Sequence, residues 1–344
     1  MIYSYIFIPH KVIKAQSFVN YIVLEILCKA SKKGMPADFD ENIVINKYKK
    51  LIQNINPDYI KIPINNAYQI CKDPNNFHII KLLKKTLHSN INIKGICDSK
   101  IKPVLYSDIK KTNKELANNI SSFCTYLYTE VFKLKPCIDL YGEIRDHYVE
   151  FSIKNGLKNK RCPFCGIARM ESEFSSKREA YDHFFPKEQY PFISVHFANL
   201  APMCHSCNSS YKGRKNPIDV HKKGIHKKVF YPYFNYGKIN FTIEINNIRL
   251  DSIQPNEINV INILNGYDEE IESWEDIFDI KERYKSIYAG GASSWFEEVR
   301  IATNNFGMTY KDYKDHLNVN YYIDENFMKL AFLEACETKG LINR

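Results

Sequence analysis

Two pairs of cysteines, each separated by two residues, stand 38 residues apart in the chain: Cys162 with Cys165, and Cys204 with Cys207. A turn across such a pair brings both sulfur atoms to one side, and two pairs complete the tetrahedral four-thiolate set that holds structural zinc. Gly166 follows the first pair and is free to take the left-handed conformation that ends such a turn. We predict a zinc site here. Redox chemistry at one pair is the alternative, but it leaves the second pair unexplained.

The loop between the two cysteine pairs holds residue types suited to phosphodiester hydrolysis. That reaction needs an attacking water, a base to deprotonate it and positive charge on the phosphate. His183 is the candidate base, because imidazole titrates nearest to neutral pH. Three other residues of this region have ordinary structural explanations: Asp182 can cap a turn, Asn199 can be a turn residue, and Asn208 can be a helix N-cap.

The order and spacing of these residues carry a family resemblance. The pattern D-H-x-x-P-K begins at Asp182, and N-L-x-P-x-C-x-x-C-N-x-x-x-K runs from Asn199 to Lys212. Between zinc knuckles, these patterns resemble the HNH (His-Me finger) endonucleases, over roughly 60 of the 344 residues. The resemblance implies a ββα-metal domain in the middle of the chain that cleaves nucleic acid with a divalent ion.

The resemblance also implies a role for each residue of the pattern. His183 would be the general base, and Asn199 would accept from its imidazole and orient it. Asp182 and Asn208 would be ligands of the catalytic ion. His is the commoner residue at the position of Asn208, and the oxygen ligand found here suits Mg²⁺ or Mn²⁺.

The basic charge of the chain is concentrated around this region. Residues 151–230 hold 15 Lys and Arg against 6 Asp and Glu, a difference of +9 that equals the net charge of the whole chain. A local basic field indicates a polyanionic partner, most simply nucleic acid, although solvated lysine-rich surfaces are common. We predict that phosphates are contacted by four side chains: Lys187, Lys212, Arg214 and Lys215.

The flanking sequence indicates an α+β chain with mainly helical material around the central domain. Apolar residues recur at helical spacing from Leu116 to Val131, and Thr112 to Glu115 forms a capping-box pattern. Lys238 to Ile245 alternates as a half-buried strand, and helical patterns follow near 277–288, 293–303 and 324–337, with Gly290-Gly291 as a break. We divide the chain into 1–140, 141–235 (the HNH domain with its knuckles) and 236–344.

The sequence also limits where the protein acts and what else it could be. No leader or membrane-length apolar segment is evident, so we expect a cytoplasmic protein with reduced cysteines, no membrane partner and an unspecified oligomeric state. The six cysteines outside the pairs are expected to be buried apolar residues. The leading function is cleavage of DNA, with RNA as the alternative substrate and a non-catalytic zinc-held nucleic-acid-binding module as the other alternative. Stand-alone HNH proteins with large flanking regions often resemble bacterial defence effectors or mobile-element nucleases, and some act beside an ATPase partner; on this resemblance we expect phage defence.

Overall fold

The computed structural model describes residues 1–219, 226–246 and 253–342, which form two compact units. The first unit comprises Met1–Ile6, Asn155–Ala180 and Met203–Arg344, and the second comprises Phe7–Lys154 and Tyr181–Pro202. Helices predominate and the strands form two small sheets, which confirms the predicted α+β class. The predicted central segment 141–235 contributes residues to both units.

The second unit is mainly helical, as the sequence of its N-terminal part predicted. Its α-helices, labelled α1 to α9 in chain order, are Gln16–Tyr21, Asn46–Gln53, Lys61–Lys72, Phe77–Ile91, Ile93–Cys97, Tyr106–Thr112, Lys114–Thr129, Lys135–Tyr141 and Ile144–Asn155. Short 3-10 turns lie at Lys11–Ala15, Leu27–Lys29, Glu41–Ile43, Pro74–Asn76, Val131–Lys133, Pro191–Ile193 and Phe197–Asn199, and a π-type turn at Ile22–Ile26 extends α1. Phe18, Val19 and Ile22 are fully buried, in agreement with the apolar pattern of that segment.

Helix α7 packs against α3 and α6 and forms the centre of the second unit. Leu116, Ile120 and Cys124 lie on its buried face, as their spacing predicted. The predicted cap is displaced by one residue. Asn113 is the N-cap, and its side chain accepts from the Leu116 amide at 2.9 Å. Thr112 instead ends α6, because its hydroxyl donates to the Asp108 carbonyl one turn earlier.

Two short strands, β1 (Ala180–His183) and β2 (Leu200–Met203), pair in a two-stranded sheet. All residues of β2 and the last three of β1 are buried, so both faces of this sheet are covered. The amide of Phe184 donates to the Asn199 carbonyl at 2.8 Å and continues the pairing past the end of β1. This sheet places His183 at the end of a strand with little exposed surface.

The first unit contains an antiparallel hairpin of β3 (Asn240–Ile245) and β4 (Ile258–Ile263). Their register pairs Ile243 with Val260 and Ile245 with Ile258. Burial alternates along both strands, which confirms the predicted half-buried strand. The remaining α-helices, α10 to α13, are Asp268–Phe278, Ile280–Phe306, Tyr310–Val319 and Asn326–Thr338. Short 3-10 turns lie at Leu157–Asn159, Pro217–Asp219 and Pro255–Glu257, and a π-type helical segment at Ser206–Lys212.

The sequence prediction of a helix break at Gly290-Gly291 was wrong. Helix α11 runs unbroken through both glycines. A Cβ atom on Gly291 would lie 3.0 Å from the indole of Trp295, so this glycine makes room for a buried ring one turn further along. The absence of a side chain serves packing here and does not end the helix.

Within the described residues, no helix combines the length and apolar character needed to cross a membrane.

Candidate metal centre and catalytic residues

The four paired cysteines come together in the first unit. Their sulfur atoms all lie within 4.8 Å of one another, and all four residues are buried. The sulfurs of Cys165 and Cys204 are 3.9 Å apart. Zn–S bonds of about 2.3 Å in a tetrahedron separate sulfurs by about 3.8 Å. The four-cysteine cluster (Cys162, Cys165, Cys204 and Cys207) therefore has the spacing and donor chemistry to hold a metal such as zinc.

The first knuckle of the cluster is closed by backbone hydrogen bonds. The amides of Cys165 and Gly166 both donate to the Cys162 carbonyl, at 3.3 and 2.6 Å. The Ile167 amide points at the Cys165 sulfur at 3.4 Å, and Gly166 has a φ of +70°. This left-handed residue lets the chain turn sharply enough for both sulfurs to face the same point.

Helices α10 and α11 supply polar groups that hold the first knuckle. The Trp274 indole N–H donates to the Phe164 carbonyl at 2.6 Å, and the Tyr284 hydroxyl donates to the Cys165 carbonyl at 2.9 Å. Both acceptors are buried, and each would be costly to leave without a donor. No local sequence pattern indicates these contacts, because the partners are 110 and 119 residues apart.

Arg283 is a charged residue in contact with the second knuckle. Its guanidinium donates to the Cys207 sulfur at 3.6 Å and to the Phe278 carbonyl at 3.1 Å, and it lies 4.0 Å from the centre of the Tyr211 ring. Burial opposes the charge on Arg283, but negative charge on Cys165 and the hydrogen bond to Cys207 together outweigh burial and raise the pKa of the guanidinium. The arginine therefore stays protonated beside a thiolate.

Cys165 differs in its ionisation from the cysteines outside the cluster. Hydrogen bonds from Cys162 and the two thiols of the second pair hold the pKa of Cys165 well below its ordinary value. The cysteines outside the pairs are all buried, as predicted, and burial raises the pKa of Cys71, Cys137 and Cys336 to about 12. Within the cluster, burial and hydrogen bonds with the other three sulfurs raise the pKa of Cys162, and the pKa of Cys207 is raised as well. The cluster is therefore suited to a metal by the convergence of its four sulfurs, which the isolated cysteines lack.

In the second unit, His183 is 8% exposed and its ring is held by a backbone carbonyl. Its Nε2 lies 2.8 Å from the Ser194 oxygen. A carbonyl only accepts, so Nε2 carries the hydrogen, and in the neutral ring Nδ1 carries the lone pair. The Tyr128 ring packs edge-on against the imidazole, with the two ring centres 4.4 Å apart. The Ser194 hydroxyl donates to the Cys124 carbonyl on α7, which fixes the segment that holds the imidazole.

Asn199 takes a different position from the one the family resemblance implied. Its side-chain oxygen accepts from the Phe185 amide at 2.8 Å, and its NH₂ group donates to the Phe185 carbonyl at 2.9 Å. The side chain thus bridges the chain just after β1 and is fully buried. The imidazole contact expected of Asn199 belongs to Ser194 instead. The sequence could not show this, because a backbone carbonyl has no residue signature.

The two residues expected to bind the catalytic ion lie in different units. Asp182 precedes His183 in β1 and is 8% exposed. Asn208 lies in the first unit at the start of the Ser206–Lys212 segment. Its amide donates to the Cys204 carbonyl at 2.9 Å, and its carbonyl accepts from the Gly213 amide at 2.9 Å. The second knuckle therefore fixes the backbone of Asn208.

The four predicted phosphate contacts differ in exposure. Arg214 and Lys215 are exposed. Lys187 is partly exposed and pairs with Glu188 at 3.4 Å. Lys212 is 1% exposed, and its ammonium group donates to the Gly213 carbonyl at 3.5 Å. The buried position of Lys212 is therefore inconsistent with a phosphate contact at the surface. Its ammonium group instead contacts a main-chain carbonyl just after the Ser206–Lys212 segment.

A buried histidine outside the resembling pattern contacts β1. His147, on α9, is 2% exposed and hydrogen-bonds through Nδ1 to the Tyr181 hydroxyl. Burial lowers the pKa of His147 to about 4. His147 is therefore neutral at physiological pH and supports the strand that carries Asp182 and His183.

Comparison with known proteins gives short and partial similarities. The chain is 31% identical over 113 residues to protein ea31 of Escherichia phage lambda, covering 29% of this chain and 35% of that protein. It is 35% identical over 65 residues to Septu protein PtuB of Bacillus thuringiensis, covering 18% of this chain and 24% of that protein. The chain thus spans about a third and about a quarter of these relatives. No family model and no solved structure matches.

Proposed function

We propose that this protein is a metal-dependent endonuclease of the HNH type that hydrolyses DNA, with His183 as the general base. The observation that carries the proposal is the hydrogen bond from His183 to the Ser194 carbonyl. It fixes the tautomer in which Nδ1 can take a proton from water. This is the tautomer and ring orientation that a general base needs, and Asp182 directly precedes the histidine in the chain.

The residues of the chain have separate tasks in this proposal. His183 Nδ1 accepts the proton of the attacking water, while the Ser194 carbonyl keeps the ring in place and stabilises the imidazolium that results. Asn199 holds the turn after β1 through Phe185 and so positions His183 indirectly. Asp182 and Asn208 offer the carboxylate and amide oxygens that Mg²⁺ or Mn²⁺ prefers. When bound, that ion supplies positive charge to the phosphate and the leaving oxygen.

The four-cysteine cluster has a structural task in the proposal. Four thiolates fill the coordination shell of zinc and leave no open position for a water. The zinc would therefore hold the backbone that carries Asn208, and it would take no part in hydrolysis. Arg214, Lys215 and Lys187 are the proposed phosphate contacts, and such contacts position a substrate without reading its sequence.

We propose phage defence as the biological setting, alongside an ATPase or another partner protein of the same system. The motivation is the resemblance to stand-alone HNH defence effectors, and the similarity to Septu protein PtuB agrees with it over 65 residues. A strain that carries the gene should restrict plating of at least one phage in a broad panel, and His183→Ala should remove the restriction. If every phage in the panel plates equally on strains with and without the gene, the result contradicts the defence proposal but not the nuclease activity.

Cleavage assays with His183→Ala test the chemical proposal. Labelled DNA and RNA are digested side by side with Mg²⁺ or Mn²⁺ by the wild type, by His183→Ala and by a control variant, His88→Ala, which alters an exposed histidine of the same unit. Loss of a general base costs about 10²- to 10⁴-fold in rate. We expect that loss in His183→Ala alone, with zinc content unchanged. Equal cleavage by His183→Ala and the wild type would contradict the assignment of His183 as the general base.

A further inference from the structure

A small pocket of about 130 Å³ in the first unit lies beside the first knuckle. Most of its lining residues are cationic: Lys158, Lys160, Arg161 and Arg169, with Asn159, Ile323 and Asp324 completing the wall. None of these residues belongs to the pattern that resembles HNH nucleases. We call this site the basic pocket.

The two arginines of the basic pocket lie side by side and share a carboxylate. The Arg161 amide donates to the Tyr322 carbonyl at 3.4 Å, and the Tyr3 hydroxyl donates to the Arg161 carbonyl at 2.6 Å. Arg161 also pairs with Arg169 in an antiparallel bridge. The two guanidinium groups share the Asp324 carboxylate, at 3.1 and 2.8 Å. The Arg161 guanidinium is therefore held in place, whereas the Arg169 side chain is 75% exposed and reaches the same carboxylate from the surface.

The acidic side of the pocket is built on a constrained backbone. Asp324 and Glu325 are consecutive residues with φ values of +44° and +59°, a left-handed conformation that is unfavourable for residues other than glycine. Glu325 reaches the Arg161 guanidinium at 3.1 Å. The two carboxylates thus neutralise the two arginines, and the cost of the backbone is offset by these contacts.

The two lysines have no such compensation. The Lys160 ammonium lies 4.9 Å from the centre of the Tyr3 ring, and Lys158 is exposed. Neither ammonium group has a carboxylate within 4.0 Å among residues 1–219, 226–246 and 253–342. Four cations therefore face two carboxylates, and the basic pocket keeps an excess of two positive charges within a narrow space.

We infer that the basic pocket binds a phosphate of a nucleic-acid backbone. The inference rests on the proposed function and extends it by a substrate contact outside the resembling pattern. The volume suits a single phosphate group. Fixed guanidinium groups and mobile ammonium groups are the usual phosphate donors, and they position the backbone without reading its sequence. DNA and RNA offer the same phosphodiester, so both are tested.

Equilibrium binding of the full-length His183→Ala protein tests the inference without cleavage. Fluorescent duplex DNA and single-stranded RNA are titrated at several salt concentrations without added divalent ion. The pocket variant carries Lys158→Gln and Lys160→Met, because methionine keeps the apolar stem over Tyr3. The control carries Lys32→Gln and Lys33→Gln, which remove the same charge from exposed sites of the second unit. Zinc content and melting temperature establish that both variants are folded.

We expect the pocket variant to weaken binding to at least one nucleic acid by roughly fivefold or more, and to reduce the slope of log K against log salt by about 1–2. The control should stay within about twofold of the parent. Equal binding by the pocket variant and the control would overturn the inference and leave the nuclease proposal intact. If the parent binds neither DNA nor RNA at low salt, the inference and the nucleic-acid function fail together.

Discussion

Substitution of Gly166 by alanine is a direct test of the first zinc knuckle. Gly166 has a φ of +70°, and a Cβ atom built there lies 2.6 Å from the Phe327 ring and 3.2 Å from Ile2. The ring cannot easily move away, because Phe327 is 1% exposed and packs 4.6 Å from the centre of the Phe241 ring. The substitution therefore combines backbone strain with a steric clash.

Two other glycines separate these two costs. A left-handed residue other than glycine costs roughly 1–2 kcal/mol, and overpacking a core costs about 1–3 kcal/mol. We therefore expect Gly166→Ala to lose about 2–5 kcal/mol. Gly266→Ala should lose only the backbone part, because its φ is +82° with no atom within 4 Å of the added Cβ. Gly290→Ala, in open space within α11, should gain up to about 1 kcal/mol.

Urea denaturation of the three zinc-loaded variants measures these differences, and transfer of zinc to a colorimetric chelator measures the site itself. Gly166→Ala should be the least stable and should release zinc fastest, while the other two should release it like the wild type. A Gly166→Ala protein as stable as Gly266→Ala, with wild-type zinc release, would refute the described packing of the knuckle against Phe327.

Three further predictions follow from the hydrogen bonds and the buried histidines. Tyr284→Phe leaves the buried Cys165 carbonyl without its donor and should cost about 1–3 kcal/mol in urea denaturation; an unchanged midpoint would contradict this contact. Asn199→Ala removes both bonds to the backbone after β1 and should lower the cleavage rate while zinc content is unchanged; wild-type cleavage would exclude its positioning role. Burial lowers the pKa of His147 and of His196 to about 4, below the value near 6.5 in the unfolded chain. Their contribution to the free energy of unfolding is therefore fully present above pH 6.5 and is lost as the pH falls towards 4. Urea denaturation between pH 7 and 4.5 should show a smaller loss in His147→Gln than in wild type, and equal losses would contradict the neutral, buried state.

Sequence patterns predicted the features that depend on local spacing. The C-x-x-C pairs predicted the four-cysteine cluster, helical periodicity predicted the buried face of α7, and alternation predicted β3. The errors were also local. Asn113 competes with Thr112 as a cap, and both residues suit that position. The Gly290-Gly291 pair predicted a helix break, but the helix continues there because the missing side chain of Gly291 leaves space for the Trp295 ring.

The surroundings of the candidate site could not be predicted from the sequence. Tyr284 and Trp274 reach the first knuckle from more than 100 residues away along the chain. Ser194 acts on His183 through a main-chain carbonyl, which every residue has. The basic pocket joins residues near 160 with Asp324, and no local periodicity links the two segments. Such contacts depend on tertiary packing, so sequence patterns identify the reactive residues but not the groups that hold them.

The most direct test of the account is a cleavage assay on protein of known metal content. Purified wild type and Asp182→Ala are assayed for zinc and then incubated with supercoiled plasmid and with labelled RNA, with and without added Mg²⁺ or Mn²⁺. We predict one zinc per chain in both proteins, and cleavage by the wild type only, dependent on the added ion. Equal cleavage by the wild type and Asp182→Ala, or cleavage that does not depend on the added ion, would contradict the proposed metal-dependent site.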